Sequence, residues 1–354
     1  MKHILMIASR PFLDDGLTKI EFDVLEFSRS KIYFDVAIGF EVNDRFQKRL
    51  SDLGIRYYYL GNKKSVLKYM IKIYRLVKTN KYDDVYIHGN SAMMFLEAIP
   101  SKLAGTKVIT HCHNTRSNYP VIHYIIKPIF NLFVDIKIGC SSLASKWAYN
   151  GKKTVTIGNG IDTKRFSFNE DDRKETREAL GWNNYKIVGH IGRFIDQKNH
   201  QKLLSIFKCM LKKDKDFRLL LIGDGELRET IEKLIIDNGL SDYVTVIRHT
   251  DIPNKYLSAM DIMIMPSLFE GLCLVALEAQ ANGLPILLSD KQDIETVASK
   301  VAKMISLSLS DEIWANEAIS MITEGRKDTI QELKNKQMEY SNMLNRIEKL
   351  LIGD

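Results

Sequence analysis

An α/β fold of two doubly wound domains is predicted for this chain, on three observations. Short β-branched runs alternate with amphipathic helical stretches throughout, and the alternation pauses once near the middle before it restarts. The 354 residues suffice for two domains of roughly 150 to 180 residues each. Strands separated by helices run parallel, and such sheets are covered on both faces.

Taken in order, "HILMIA" (3–8), "FDVAIG" (34–39), "IRYYYL" (55–60), "DVYIHG" (84–89), "KVITH" (107–111) and "DIKIGC" (135–140) read as strands, with helix-like segments at 17–29, 64–79 and 91–103. The pattern resumes with "KIVGHIG" (186–192), "FRLLLIG" (217–223), "YVTVI" (243–247), "DIMIMP" (261–266) and "PILLS" (285–289). Between these, the stretch 200–211 gathers Leu203, Leu204, Phe207, Met210 and Leu211 on one helical face, and 226–240 ends in a glycine stop. Glycines and charges replace periodicity over 158–174, and a final charged helix is expected over 327–351. The expected division is therefore 1–165, 166–326 and 327–354, the last packing back on the first domain.

Composition narrows the class. With 45% hydrophobic and 27% charged residues, the chain has the make-up of an ordinary globular protein. Cys112, Cys140, Cys209 and Cys273 lie far apart with no C-x-x-C pair, which suits reduced thiols in a cytoplasmic protein. The apolar part of "MKHILMIASR" is short for a signal peptide and suits a first strand. His123, Lys127, Pro128 and Asp135 interrupt the longest apolar region, 121–139, which argues against a bilayer span. Net charge is +7, and the segment 61–82 carries seven Lys or Arg with no acid. Lys64, Lys68, Lys72 and Arg75 form one stripe of a helix there. Such a stripe fits either a solvated outer face or a contact with an anionic membrane surface. Nucleic acid is not expected, because no aromatics interleave with the basic residues at a repeated spacing.

Ligands of open parallel sheets sit beyond the carboxyl ends of the strands, so the loops there carry the chemistry. After 186–192, Arg193 falls in the loop and Lys198 at the start of the next helix, where partial positive charge makes cations tolerable mainly around an anion such as a diphosphate. Two solvated surface charges are the other explanation. In "FEGLCLVALEAQANGLP" (269–285), Glu270 stands at the mouth of a helix closed by Gly283, and the backbone N–H groups of Gly271 to Leu274 offer a second anion-binding feature. Counted along a helix, Glu278 lies about 12 Å beyond Glu270. That exceeds the roughly 5 to 9.5 Å of a glycosidase pair. The two acids better suit opposite ends of a hydroxyl-rich ligand with an anionic middle, the layout of a nucleotide sugar. Glu278 suits equally a buried partner for an Arg or Lys. "GDGEL" (223–227) is not G-x-G-x-x-G, and neither is "ASRPFLDDGL" after the first strand, so a dinucleotide site lacks its main support. His111 and His113 share one side of a strand end, but no third metal ligand is apparent, and Asp214 and Asp216 suit a surface turn.

With "NGID", "GRFIDQKNH", "LLLIGDGELRE", "MPSLFEGLCLVALEAQANGLPILLSD" and "LSLSDEIWANEAI", the chain resembles the family-4 retaining glycosyltransferases of the GT-B fold, in particular those of bacterial capsular and exopolysaccharide synthesis. The resemblance is densest over 155–320 and looser before it. It implies two Rossmann-like domains facing each other across a cleft. It also implies roles: Arg193 and Lys198 on the donor diphosphate, Glu278 on the ribose, Glu270 on the donor sugar, His113 near the reacting sugar, and Gly16, Asn159, Gly271, Leu272, Cys273 and Leu274 in donor binding. Two departures stand out, since Asp15-Gly16 replaces the usual Gly-Gly and Cys273 stands where proline is common. The implied activity is transfer of a hexose from a nucleotide-diphosphate sugar, UDP-linked by expectation, to a lipid-linked saccharide at the inner membrane face. No cofactor and no metal are expected. The rival functions are a GT-B-type nucleotide-sugar epimerase or hydrolase and a non-catalytic saccharide-binding subunit.

Overall fold

The computed structural model describes residues 1–13, 16–115, 117, 119–150 and 153–353. The chain divides into two units, Met1–Asn159 with Ser341–Asp354, and Gly160–Tyr340. Sequence composition placed these limits at 165 and 326. Both ends of the second unit are held together locally: Ile161 N–H donates to Met338 O at 3.0 Å, and Tyr340 N–H donates to Ile161 O at 2.9 Å. That pairing keeps 160–162 and 338–340 in one body.

In the first unit, strands β1 (Lys2–Ala8), β2 (Ile32–Ile38), β3 (Arg56–Tyr59), β4 (Asp84–Gly89), β5 (Lys107–Cys112), β6 (Ile136–Gly139) and β7 (Thr154–Thr156) form one parallel sheet. Its order is β3-β2-β1-β4-β5-β6-β7. In the second, β8 (Lys186–Ile191), β9 (Phe217–Ile222), β10 (Val244–Ile247), β11 (Ile262–Met265), β12 (Ile286–Ser289) and β13 (Ala302–Ile305) run parallel in the order β10-β9-β8-β11-β12-β13. The short β7 and β13 were not expected. "TVT" and "AKMI" are three and four residues long, too short for a period to show against neighbouring loops.

Central strands are buried on both faces because helices cover both. Leu5, Ile7, Val85, Ile87 and Val108 anchor one core, and Val188, Leu219, Leu221, Ile262 and Ile264 the other. Each such side chain contributes about 1.5 to 3 kcal/mol of transfer free energy, which explains why these strands are nearly continuous apolar runs. The expected helix over 327–351 is two helices, Ile330–Asn335 and Tyr340–Ile352. They are parted where Gln337 takes a left-handed φ of 58°. The later helix belongs to the first unit, where Met343, Leu344, Ile347 and Leu351 are buried, Arg346 donates to Thr156 O at 2.8 Å and Lys31 pairs with Glu348 at 2.5 Å.

Candidate functional site

In each sheet the strand order reverses direction at one place, between β1 and β4 and between β8 and β11. Loops leaving the carboxyl ends of those strands diverge there and leave the crevice that open α/β sheets use for ligands. The second unit brings its two most suggestive loops to that place. After β8 the chain makes a single 3-10 turn, Asp196–Lys198, and turns through Asn199 (φ 54°) into the helix His200–Lys213. After β11 come Ser267 to Cys273 and the helix Leu274–Ala281.

The two loops are stitched together. Leu268 N–H donates to Gln197 O at 2.8 Å, Gln197 Nε2 to Phe269 O at 3.0 Å, and Asn199 Nδ2 to Pro266 O at 3.1 Å. Lys198 Nζ reaches Glu270 Oε1 at 2.7 Å, and Gln197 Nε2 donates to Glu270 Oε2 at 2.9 Å. The side chains of the ion pair are only 13% and 10% exposed, so little water screens their charges. A carboxylate accepts about four hydrogen bonds, which leaves Glu270 acceptor capacity beyond these two. The third loop, "GDGEL", explains its own glycines. A Cβ on Gly223 (φ 153°) would stand 1.9 Å from Gly192 O, and Phe194 N–H donates to Asp224 O at 2.9 Å. The glycine is there so that the loops after β8 and β9 can touch.

Several sequence expectations change in detail. Lys198 lies in the turn before the helix rather than at its start, and the anion beside it is the chain's own Glu270. Arg193 is exposed, with no side-chain partner among the described residues. Because the helix begins at Leu274, Glu270 sits in the turn ahead of it, and the helical count of about 12 Å does not describe the two acids. Glu278 is buried within that helix, Gly271, Leu272 and Cys273 are buried at its mouth, and Leu274 is its first residue. Burial pushes the Cys273 thiol up to about 11, with Lys198 pulling the other way, so it stays protonated and unreactive near neutral pH. Beneath Lys198, burial pushes His190 down to about 4 and His200 to about 2, and the His190 Nδ1–H group donates to Ile264 O at 2.9 Å. Gln197 had no sequence signal; a neutral loop residue has no periodicity or charge to mark it.

In the first unit, Gly16 is the first residue of the helix Gly16–Ser28, and Asn159 is buried where the unit ends. Asp15 lies outside the described residues. His113, half-buried past the end of β5, is not alone. The register pairs His88 of β4 with His111 of β5, and His113 Nε2 lies 3.1 Å from His88 Nδ1. The third imidazole that the sequence did not reveal is therefore His88, supplied by the neighbouring strand. Burial holds all three rings neutral, His111 at about 3 and the other two also well down.

Residues 172–334 match the family model described as glycosyl transferases group 1. These residues are a group 1 glycosyltransferase domain. The chain resembles the putative glycosyltransferase EpsF of Bacillus subtilis at 27% identity over 319 residues, 85% of this chain and 83% of that one. It is 27% identical over 304 residues to the Escherichia coli UDP-Gal:alpha-D-GlcNAc-diphosphoundecaprenol alpha-1,3-galactosyltransferase, covering 80% of this chain and 78% of the relative. Among solved structures, Anabaena HepE in complex with UDP superposes with a TM-score of 0.82 at 18% identity over 100% of both chains. The chain thus has the GT-B fold, built from two parallel-sheet Rossmann-like domains.

Proposed function

We propose that this group 1 glycosyltransferase is a retaining hexosyltransferase that moves a sugar from a UDP-linked donor to a lipid-linked saccharide in capsular or exopolysaccharide synthesis. One observation carries the proposal: Lys198 and Glu270 meet 2.7 Å apart at the switch point of the second sheet, in a pair of loops of which the first also carries Arg193. Relatives support the class of substrates, since one is named for a UDP-sugar and a diphosphoundecaprenol acceptor and a structural neighbour is described with UDP.

In this proposal the donor diphosphate lies against Arg193, Lys198 and the backbone N–H groups of Gly271 to Leu274, with Gly16 and Asn159 completing donor binding. Glu278 takes the ribose hydroxyls and Glu270 those of the sugar, while His113 stands near the reacting carbon. The acceptor hydroxyl attacks the anomeric carbon on the face that the diphosphate leaves. A new carbon–oxygen bond forms as the old one breaks, and the acceptor proton passes to the departing phosphate. Arg193 and Lys198 stabilise the charge that grows on that group, so transfer itself is proposed to need no metal.

The lipid-linked acceptor implies a membrane surface, and the first unit has features suited to one. Its helix Pro120–Leu132 exposes Val121, Ile122, Tyr124, Ile125, Ile129 and Leu132. Lys64, Lys68, Lys72 and Arg75 are exposed along and just ahead of the helix Val66–Asn80. Right-handed crossovers put both helices on one face of the sheet, and the helix Phe95–Leu103 touches both. We propose peripheral binding to anionic lipid at the cytoplasmic side of the membrane.

Thermal-shift screening against a panel of nucleotide sugars, followed by transfer to a diphosphoundecaprenol-linked saccharide, tests the function. A donor at 100 times its Kd should stabilise the protein by about 2.7 kcal/mol. Absence of stabilisation by every nucleotide sugar would remove the donor-site assignment. Donor consumption without acceptor would indicate the epimerase or hydrolase, and tight donor binding without turnover a non-catalytic subunit.

A further inference from the structure

We propose that His88, His111 and His113 of the first unit bind one divalent transition-metal ion of the zinc class through one imidazole nitrogen each. The topology assembles the three rings. Strand register sets His88 beside His111, and the chain continues so that His113 N–H donates to Gly89 O at 3.0 Å. One ligand nitrogen from each residue lies within 4.8 Å of the other two. Tetrahedral zinc at 2.0–2.1 Å from nitrogen places its ligands about 3.3 Å apart, so the closure required is about the size of a side-chain rotation.

Polar satisfaction points the same way. His88 Nε2, His111 Nε2 and His113 Nδ1 are buried with no hydrogen-bond partner among the described residues. Buried nitrogens without partners are rare and costly. Each neutral ring has one lone pair and one N–H, so an ion would replace the hydrogen bond between His88 and His113 and take one lone pair from each of the three rings. Tyr86 OH lies 2.8 Å from His111 Nδ1. When that nitrogen donates to the phenol oxygen, the Nε2 lone pair is left for a metal, the usual outer arrangement of metal-binding histidine. The carboxylate of Glu21, fully buried, lies near enough to Tyr86 to raise its phenol pKa further. Arg10 acts in the opposite sense on His88 and His113. Three neutral nitrogens beside an opposing cation exclude magnesium and calcium, which require oxygen ligands, and favour ions that bind imidazole strongly, zinc or copper.

Metal at this place takes a nitrogen of His113, so zinc should inhibit transfer and a chelator should restore it. That consequence rests on the role proposed for His113, whereas the binding does not. The test is Co2+ titration of the metal-free full chain, read by the visible absorption of four-coordinate cobalt and by displacement with Zn2+. One equivalent is expected to bind, with at least a tenfold loss of affinity in His88→Gln and in His113→Gln. His88→Cys should keep the ion and add a sulfur-to-cobalt charge-transfer band, which separates ligation from a folding defect. No four-coordinate spectrum in the wild type, or an unchanged spectrum in the Gln variants, would overturn the site. Binding without inhibition would uphold it and remove His113 from the transfer step.

Discussion

Lys198 is half of a poorly exposed ion pair and is proposed as a charge for the donor, and these two roles separate experimentally. Removing one partner of such a pair leaves an uncompensated charge, a change that commonly costs about 3 to 5 kcal/mol when burial is complete. Gln197 still donates to Glu270 Oε2, so Lys198→Ala should lower Tm modestly. The double variant Lys198→Ala with Glu270→Gln should recover most of that Tm. Neither should recover turnover, because the charge facing the leaving diphosphate is gone, a loss of about 100- to 1000-fold. Calorimetry and initial rates on both variants check this, and near-normal rates in either would remove Lys198 from catalysis. At this scale the sequence marked Arg193 and Lys198 as candidates, since cations beside a helix start are electrostatically conspicuous. Gln197 and His88 were not, because what marks each of them is a neighbour more than twenty residues away in the sequence.

The helix Leu274–Ala281 ends in a glycine with a structural task. Leu284 N–H donates to Ala279 O at 3.0 Å, and Gly283 takes a left-handed φ of 67°, a helix stop that a side chain disfavours. A Cβ there would stand 2.3 Å from Lys327 O, so Gly283→Ala should cost at least about 2 kcal/mol. For a unit of this size that lowers Tm by roughly 4 to 8 °C, measurable by scanning calorimetry. The helix Pro120–Leu132 makes a second prediction. Ile125 and Leu132 are 67% and 79% exposed, so Ile125→Glu with Leu132→Glu should leave Tm unchanged. The same change should reduce co-sedimentation with vesicles containing anionic lipid, and equal binding by wild type and variant would detach this helix from the membrane. Strands and helix stops at this scale could be read from periodicity and glycine placement. The break near Gln337 could not, because the charged pattern runs across it without interruption.

Both units carry neutral histidines held away from water, buried His88 and His111 with half-buried His113 in one, and buried His190 and His200 in the other. Burial pushes each below the ordinary 6.5, to about 3 for His111, about 4 for His190 and about 2 for His200. Below about pH 6.5 the unfolded chain takes up protons that the folded chain refuses, so stability falls as pH drops. Above that value both states are neutral, and these groups contribute no pH dependence. Tm should therefore be level from about pH 7 to 8 and decline between about pH 6.5 and 5, before most carboxylates titrate. His200→Gln should flatten the decline. A Tm that holds constant down to about pH 5 would mean that these rings accept protons while folded.

The sequence by itself determined the parallel α/β class, the restart of the pattern that makes two units, and the candidate loops around Arg193, Lys198 and Glu270. These properties are local: apolar period, β-branching, glycine stops and charge beside a helix start all act within a few residues. Only the tertiary structure decided that Lys198 closes on Glu270 across 72 residues, that the glycines of "GDGEL" exist for contact with the loop after β8, and that His88 joins His111 and His113. Those are consequences of strand order and register, which bring distant segments within hydrogen-bond reach and leave no periodic trace in either segment alone.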